Sequence, residues 1–154
     1  MMFSILIVTH GEMASGIIDA AKMIIGEDED QSPNSIQPVI LKEGESPETF
    51  TDEIDKRIDQ MAKGGMSGVL ILTDLFGSST TNAGVNVMIS RKRAKLSKEF
   101  QIAVVSGVNL PMVLELIPAL KSNSSIDEMV KLAVDTGRKS ILDVADELAK
   151  RKKK

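Results

Sequence analysis

Four segments of the chain are nearly continuous runs of aliphatic residues with the length of a β-strand. They are FSILIV (3–8), SIQPVILK (35–42), GVLILT (68–73) and FQIAVVSG (100–107). Runs with little polar alternation are typical of strands that are buried on both faces of a parallel sheet. The first and third runs carry this pattern most clearly, and the second and fourth are weaker members of the same set.

Between these runs, apolar residues recur at helical spacing, which predicts amphipathic helices. The first helix carries Met13, Ile17, Ala20, Ala21 and Ile24 on one face and is predicted to stop at Gly26. The second follows SPET (46–49), which supplies a cap and an early proline, and KGG (63–65) is predicted to end it.

Three further helices are predicted in the second half of the chain. One runs from about Thr80 to Ser90, and the next opens after GVNLP (107–111) with Pro111 in its first turn. The last follows KSNSS (121–125) and is predicted to stop at Gly137. The segment that follows, RKSILDV (138–144), has the composition of a short strand.

The alternation of strands and helices predicts an α/β fold: a doubly wound, mostly parallel sheet with helices on both faces. The length of 154 residues is typical of one domain, predicted to span 1–154 with its core in 2–143. Residues 144–154 are predicted to form a C-terminal helix and a basic tail. In such sheets, ligands bind at the carboxyl ends of the strands.

Composition narrows the classes of function. The chain has no cysteine, which excludes disulfides and thiolate chemistry, and it has four Phe but no Trp or Tyr to stack on nucleic-acid bases. The net charge of −3 also argues against nucleic acid, and the basic runs at 91–98 and 150–154 are interpreted as a solvated loop and a helix end. With no signal peptide pattern and no apolar stretch of membrane-spanning length, we expect a cytoplasmic protein.

Polar residues and glycines follow three of the predicted strands directly: THG (9–11), TDLFGSST (73–80) and SGVNLP (106–111). We expect them to converge, because parallel strands end at the same edge of a sheet. The only histidine of the chain, His10, lies in the first group. A lone histidine is most often a partner for a backbone carbonyl, but this position favours a chemical role.

A carboxylate that accepts the proton of one ring nitrogen leaves the other nitrogen nucleophilic, and Asp74 is the candidate for this partner. The segment GSSTT (77–81) supplies a glycine and hydroxyls at the start of a helix, where backbone N–H groups favour a phosphate. Taken alone, such a run is more often a simple helix cap. Together with His10 and Asp74, it indicates phosphoryl transfer without a metal or cofactor.

Other kinds of site have too few suitable residues. A metal site would need more His or Cys ligands, a dinucleotide site more glycines after the first strand, and a serine hydrolase a Gly-x-Ser-x-Gly turn. A flavodoxin-type flavin site fits the topology, but the chain has no Trp or Tyr to flank a flavin ring.

Four segments with compatible spacing cover nearly the whole chain: IVTHG (7–11), LTDLFGSS (72–79), SGVNLPMVLE (106–115) and LAVDTGRKSI (132–141). In these segments the chain resembles the IIA component of the mannose/fructose/sorbose family of the bacterial phosphoenolpyruvate-dependent sugar phosphotransferase system (PTS). The family pattern has a proline after the phosphate-binding serine, and this chain has Thr80 there.

The resemblance implies a role for each candidate residue. His10 would accept a phosphoryl group from the phosphohistidine of the carrier protein HPr and pass it to a separate IIB component, and Asp74 would orient the imidazole. The remaining implied roles are phosphate binding by Gly77, Ser78 and Ser79 and lining of the cleft by Thr9, Gly11 and Asn109.

The resemblance also implies a homodimer in which a C-terminal strand, here RKSILDV, is exchanged between protomers. The membrane would be reached only through the IIC/IID permease. Two alternatives stay open: a related phosphocarrier serving a dihydroxyacetone kinase, whose loop usually reads His-Ser rather than His10-Gly11, and a non-catalytic flavodoxin-like regulatory module. A hydrolase using a transient phosphohistidine is disfavoured, because no Arg or Lys lies near the three loop motifs.

Overall fold

The computed structural model describes residues 1–26, 35–94 and 100–152. Strands and helices alternate through most of these ranges, as the sequence predicts. The elements, in chain order, are β1 (Phe3–His10), α1 (Met13–Ile25), β2 (Ile36–Leu41), α2 (Pro47–Lys63), β3 (Gly68–Thr73), α3 (Ser79–Arg93), β4 (Gln101–Ser106), α4 (Leu110–Lys121), α5 (Ile126–Lys139) and α6 (Val144–Lys152).

The four strands form one parallel sheet in the order β2-β1-β3-β4. β1 and β3 lie in the middle, and all of their residues are buried except His10, which ends β1. The chain builds outward in one direction from β1 and in the other from β3, so the topological switch point lies between these two strands. The predicted α/β fold with a parallel sheet is confirmed.

Helices cover both faces of the sheet, and each face has its own apolar core. Alternate residues of a strand point to opposite faces, so Ile5 and Ile7 pack with α1, α4 and α5, whereas Leu6 and Val8 pack with α2 and α3. Among the described residues, both cores consist of aliphatic side chains and methionines with one buried phenylalanine each, Phe3 and Phe50. This double burial is the physical reason for the nearly continuous apolar runs of β1 and β3.

Side-chain caps fix where several helices begin. Ser46 accepts a hydrogen bond from the Thr49 N–H at the start of α2, and Ser125 and Glu128 form a capping box at the start of α5. At the other end of a helix, Gly26 follows α1 with a φ of 89°. These starts and the end of α1 are where the sequence predicts them.

Two predictions near the C-terminus are wrong. Gly137 does not end α5, which continues to Lys139. A Cβ at Gly137 would lie 2.7 Å from Met112 Cε, so this glycine permits close contact with α4. Within the single chain, the segment 138–144 does not form a strand: its first two residues end α5, and Val144 begins α6.

The segment 140–152 packs little against the rest of the chain. Ile141 and Leu142 are 82% and 60% exposed, and no residue of α6 is buried. Residues 95–98 and 153–154 of the two basic runs lie outside the described residues. None of the helices in the described ranges is both long and apolar enough to cross a membrane.

Candidate functional site

The imidazole of His10 and the carboxylate of Asp74 form a hydrogen-bonded pair at the carboxyl ends of the two central strands. Val8 of β1 pairs with Thr73 of β3. His10, two residues after Val8, and Asp74, which follows Thr73, therefore lie at the same edge of the sheet. His10 Nδ1 lies 2.8 Å from Asp74 Oδ2, and the His10 backbone N–H donates to the same oxygen at 2.9 Å. The predicted partnership of these two residues is therefore present as geometry.

The Asp74 carboxylate is held by donors on both of its oxygens. Oδ2 faces His10, while Oδ1 accepts from the Leu75 N–H at 3.0 Å and from Thr80 Oγ1 at 2.7 Å. Burial by itself would raise the pKa of Asp74. The hydrogen bonds from Thr80 and from the backbone and ring of His10 outweigh this effect and hold the pKa below its ordinary value. Asp74 is thus an ionised acceptor at neutral pH.

The ionised carboxylate determines which nitrogen of neutral His10 carries the proton. A carboxylate can only accept, so Nδ1 donates to Asp74 and Nε2 keeps its lone pair. The His10 side chain is 49% exposed, whereas that of Asp74 is 12% exposed. Nε2 forms no hydrogen bond with any part of the chain that the structure describes. The arrangement therefore presents a nucleophilic nitrogen to solvent.

The loop between β3 and α3 places the glycine and serines of the predicted phosphate site next to Asp74. Gly77 has a φ of 79°, a left-handed backbone conformation that residues other than glycine rarely adopt. Ser78 is the N-cap residue of α3, and its hydroxyl donates to the Leu75 carbonyl at 2.7 Å. Ser79 is exposed in the first turn, where backbone N–H groups lack helical partners. This helix start has the donors that bind anions.

Two threonines of the predicted phosphate segment GSSTT (77–81) are buried and bond to protein groups, a use that the sequence did not predict. Thr80 is fully buried and donates to Asp74, as described above. Thr81 Oγ1 lies 2.7 Å from the Leu75 carbonyl and from Thr73 Oγ1, so it fastens the loop to the end of β3. Their only signal in the sequence is the polar run after Ser79, which a helix cap also explains.

The three residues predicted to line the cleft have different positions. Thr9 is fully buried, and its hydroxyl accepts from the Ala14 N–H in the first turn of α1 at 2.9 Å, so the structure does not bring its side chain into the open site. Gly11 is exposed with a φ of 51°, and its N–H donates to the Leu41 carbonyl. Asn109 is half-buried, with its oxygen accepting from the Met112 N–H and its Nδ2 donating to the Gly137 carbonyl at 3.2 Å.

Apolar side chains are exposed close to His10 and Asp74 in the sequence. Phe76 is 86% exposed, Leu75 is 62% exposed, and Met13 is 44% exposed.

Among the described residues there is no group of three or more His, Cys, Asp or Glu that could hold a metal ion. The side-chain chemistry of the site consists of one imidazole, one carboxylate and hydroxyl groups.

Comparisons with known proteins identify a family. A family model described as "PTS system fructose IIA component" matches residues 4–134. The mannose-specific EIIAB component of the PTS from Escherichia coli (strain K12) is 34% identical over 142 residues, which cover 92% of this chain. The chain spans only 39% of the length of that relative.

Two more proteins cover the chain and their own lengths well. The sorbose-specific EIIA component of the PTS from Lacticaseibacillus casei is 31% identical over 126 residues, which cover 82% of this chain and 79% of the relative. The crystal structure of the PTS component EIIA from Streptococcus agalactiae superposes with a TM-score of 0.78 at 22% identity, covering 94% of this chain and 99% of that one. At that identity, the superposition shows the shared fold.

Proposed function

The chain belongs to the family of PTS system fructose IIA components, and from this membership we propose that His10 carries a phosphoryl group from phosphorylated HPr to a separate IIB component. Membership supports the coarser role of a sugar PTS phosphocarrier, and hence of a phosphotransferase component. The observation that carries the finer proposal is the hydrogen bond from His10 Nδ1 to Asp74, with Nε2 left exposed.

In the proposed step, the Nε2 lone pair attacks the phosphorus of the HPr phosphohistidine. A nitrogen–phosphorus bond forms on His10 as the donor's nitrogen–phosphorus bond breaks, and the bonding electrons return to the donor nitrogen. No proton has to leave, because Nδ1–H stays on the ring. The positive charge that develops on the imidazole is stabilised by Asp74. A nucleophile of IIB then attacks the same phosphorus, and Nε2 recovers its lone pair.

The phosphoryl oxygens need donors, and we propose that the start of α3 provides them. Gly77 and Ser79 offer backbone N–H groups, and Ser79 adds an exposed hydroxyl, whereas the Ser78 N–H already donates to the Leu75 carbonyl at 3.2 Å. Asp74 begins the loop that carries these residues, so one segment orients the nucleophile and supplies the phosphate donors. Gly11, exposed after His10, leaves the approach to the ring open.

Transfer between two histidine-bearing proteins requires direct contact, since the phosphoryl group must reach both nitrogens. The exposed side chains of Leu75 and Phe76 support docking of HPr and IIB at this edge of the sheet. The IIC/IID permease would meet this chain only through IIB. We place these steps in the cytoplasm as part of the same proposal.

The segment after α5 supports a homodimer. Ile141, Leu142 and Val144 are all more than half exposed, and β4 leaves one edge of the sheet unpaired within the described residues. We propose that a second copy covers this segment and exchanges it along the β4 edge. Light scattering after size exclusion should give the mass of two chains, and Leu142→Asp should shift it toward one. A wild-type mass of one chain at micromolar concentration contradicts the proposal.

The test of the phosphocarrier role is phosphorylation by a reconstituted donor chain. The protein is incubated with phosphoenolpyruvate, enzyme I and HPr, and its intact mass is measured before and after mild acid. We expect a gain of one phosphoryl group that acid removes, because nitrogen–phosphorus bonds of this kind are acid-labile. Adding a IIB component should then remove the label at neutral pH.

Two variants make this test specific. His10→Ala should fold, since the side chain is half exposed, and should take no label. Glu12→Ala, an exposed neighbour whose side chain makes no cap hydrogen bond, should be labelled like the wild type. Labelling of His10→Ala, or no labelling of the wild type by competent phospho-HPr, would overturn the proposal.

A further inference from the structure

We propose that Thr80 is a positioning residue for His10: its buried hydroxyl fixes the Asp74 carboxylate, which in turn fixes the proton and the orientation of the imidazole. For the effect on phosphoryl transfer, the inference rests on the function proposed above. For the state of the imidazole itself, it rests on the geometry alone.

Thr80 has a single productive use for its hydroxyl proton. Its Oγ1 lies 2.7 Å from Asp74 Oδ1, and an ionised carboxylate cannot donate in return. Because Thr80 is fully buried, water does not compete for this bond. The hydroxyl is therefore committed to Asp74, on the oxygen opposite to the one that faces His10.

This hydrogen bond completes the set of donors around the carboxylate. Leu75 N–H and Thr80 Oγ1 hold Oδ1, and the backbone and ring of His10 hold Oδ2. Four donors match the approximate acceptor capacity of a carboxylate. Without Thr80, Oδ1 keeps only the Leu75 N–H, so the carboxylate is held less firmly and the direction from Oδ2 to Nδ1 is less well fixed.

The hydroxyl also connects the imidazole to the loop proposed to bind phosphate. Ser78 Oγ lies 2.8 Å from Thr80 Oγ1 and 2.7 Å from the Leu75 carbonyl. Since the Thr80 proton is committed to Asp74, Thr80 can only accept from Ser78. The single Ser78 proton thus has two acceptors within reach, and a phosphoryl oxygen arriving at this loop would compete for it. Thr80 stands between this loop and His10.

The family pattern has proline at this position, and proline has no hydroxyl. Thr80 therefore adds a contact that the pattern lacks, and the expected effect is a modulation rather than a loss. Removing one hydrogen bond of this kind predicts a decrease of about three- to tenfold in the rate of His10 phosphorylation.

The experiment compares three variants with the wild type. Thr80→Val removes the hydroxyl at nearly constant shape, Thr80→Ser keeps it, and Thr80→Pro removes it with the residue of the family pattern, which the first turn of a helix tolerates. Thr81→Val is the matched control, a neighbouring buried threonine whose hydroxyl bonds the Leu75 carbonyl and Thr73 but not Asp74.

The main readout is nitrogen-15 NMR of the imidazole at neutral pH, before any phosphorylation. His10 is the only histidine, so its two ring signals need no assignment among others. In the wild type we expect the Nδ1-protonated form. In Thr80→Val and Thr80→Pro the Nε2-protonated form should grow several-fold and the pKa of Asp74 should move up toward its ordinary value, while Thr80→Ser and Thr81→Val should match the wild type.

The inference is overturned if both variants without the hydroxyl keep the wild-type tautomer, or if Thr81→Val changes it equally. The phosphorylation assay separates this result from a failure of the proposed function. If the wild type is labelled and Thr80→Val is labelled at the same rate, positioning by Thr80 is wrong for transfer. If the wild type is not labelled at all, the phosphocarrier role is wrong, and the NMR result still decides the role of Thr80.

Discussion

In both the His10–Asp74 pair and the cluster around Arg91, a nitrogen-bearing side chain contacts carboxylate oxygens. In the first the nitrogen-bearing side chain is the exposed partner, and in the second the carboxylates are. Arg91 of α3 lies 2.5 Å from Asp55 and 2.7 Å from Asp59 of α2. Its side chain is 11% exposed and the two carboxylates are 46% and 55% exposed, whereas His10 is 49% exposed above a covered Asp74. Short distances alone therefore do not mark a reactive site.

The difference lies in what each base can offer to a substrate. A guanidinium has donors only, so Arg91, covered by α2, has no lone pair with which to attack anything. Burial by itself would lower the pKa of Arg91, but Asp55 and Asp59 raise it above its ordinary value. The cluster joins α2 to α3. In the other pair, the covered carboxylate holds one nitrogen and the exposed nitrogen stays free to react.

The largest effect is expected from Asp74→Asn, which keeps the shape of the reactive pair and removes its charge. The amide cannot accept on all four sides, so the His10 tautomer and the charge that develops in transfer lose their support. We expect phosphorylation by phospho-HPr to slow by about 10²-fold or more. Initial rates from intact mass measure it.

The matched control is Asp52→Asn, a change of the same kind on the exposed surface of α2. It should leave the rate unchanged. A wild-type rate in Asp74→Asn would mean that the two clusters differ less than their geometry indicates.

An intermediate effect is expected from Arg91→Met, which should reduce stability and leave transfer intact. The variant loses the bonds to Asp55 and Asp59 but keeps an apolar stem, so we expect the free energy of unfolding to fall by about 1–2 kcal/mol. Urea unfolding measures this loss, and the rate of His10 phosphorylation should stay within about twofold of the wild type.

Arg57→Met provides the comparison for this variant. Arg57 is more exposed, with its Nη2 3.5 Å from Glu53 Oε1 and its Nη1 donating to Gln37 Oε1 at 3.1 Å, and its replacement should cost less than that of Arg91, about 1 kcal/mol or less. If Arg91→Met slows transfer strongly while remaining folded, the separation between a structural and a reactive cluster is incorrect.

The smallest effect concerns the pH dependence of stability. Folding lowers the pKa of Asp74 from its ordinary 3.8, so the ionised carboxylate stabilises the fold above that pH. This contribution should disappear as the pH falls through the lower value in the folded protein. The difference in free energy of unfolding between the wild type and Asp74→Asn should therefore shrink by about 1 kcal/mol or less between pH 5 and pH 2. A difference that grows on acidification contradicts the assigned direction.

Most of the fold could be predicted because burial leaves a direct trace in the sequence. β1 and β3 have neighbours on both faces, and their sequences are nearly continuous apolar runs. Gly137 misled the prediction because its use is tertiary: it makes room for Met112, which no local pattern reveals. The strand expected at 138–144 has no partner strand within the described chain, and a strand requires one.

The candidate site could be predicted from the sequence where a residue type is rare, and less so where the residue type is common. The only histidine lies at a strand end, which made His10 a candidate. The parallel topology then indicated Asp74, at the end of a neighbouring strand, as its partner. Thr9 and Thr80 look alike in the sequence, since both are hydroxyls beside a helix start. Thr9 accepts from the first turn of α1 and Thr80 donates to the carboxylate. This difference depends on the register of β1 and β3 and on how α3 packs, which are properties of the folded chain.

The loops at the carboxyl ends of β1, β3 and β4 contain no lysine or arginine. Cations in these loops would stabilise the phosphorylated state so strongly that transfer of the phosphoryl group to the next protein would become unfavourable. N–H and hydroxyl donors would hold the group weakly enough that each hand-over stays close to equilibrium. The direction of phosphoryl transfer would then be set by the phosphorylated fractions of the donor and acceptor proteins. Such a protein would pass phosphoryl groups reversibly in either direction and would not itself determine the direction of transfer.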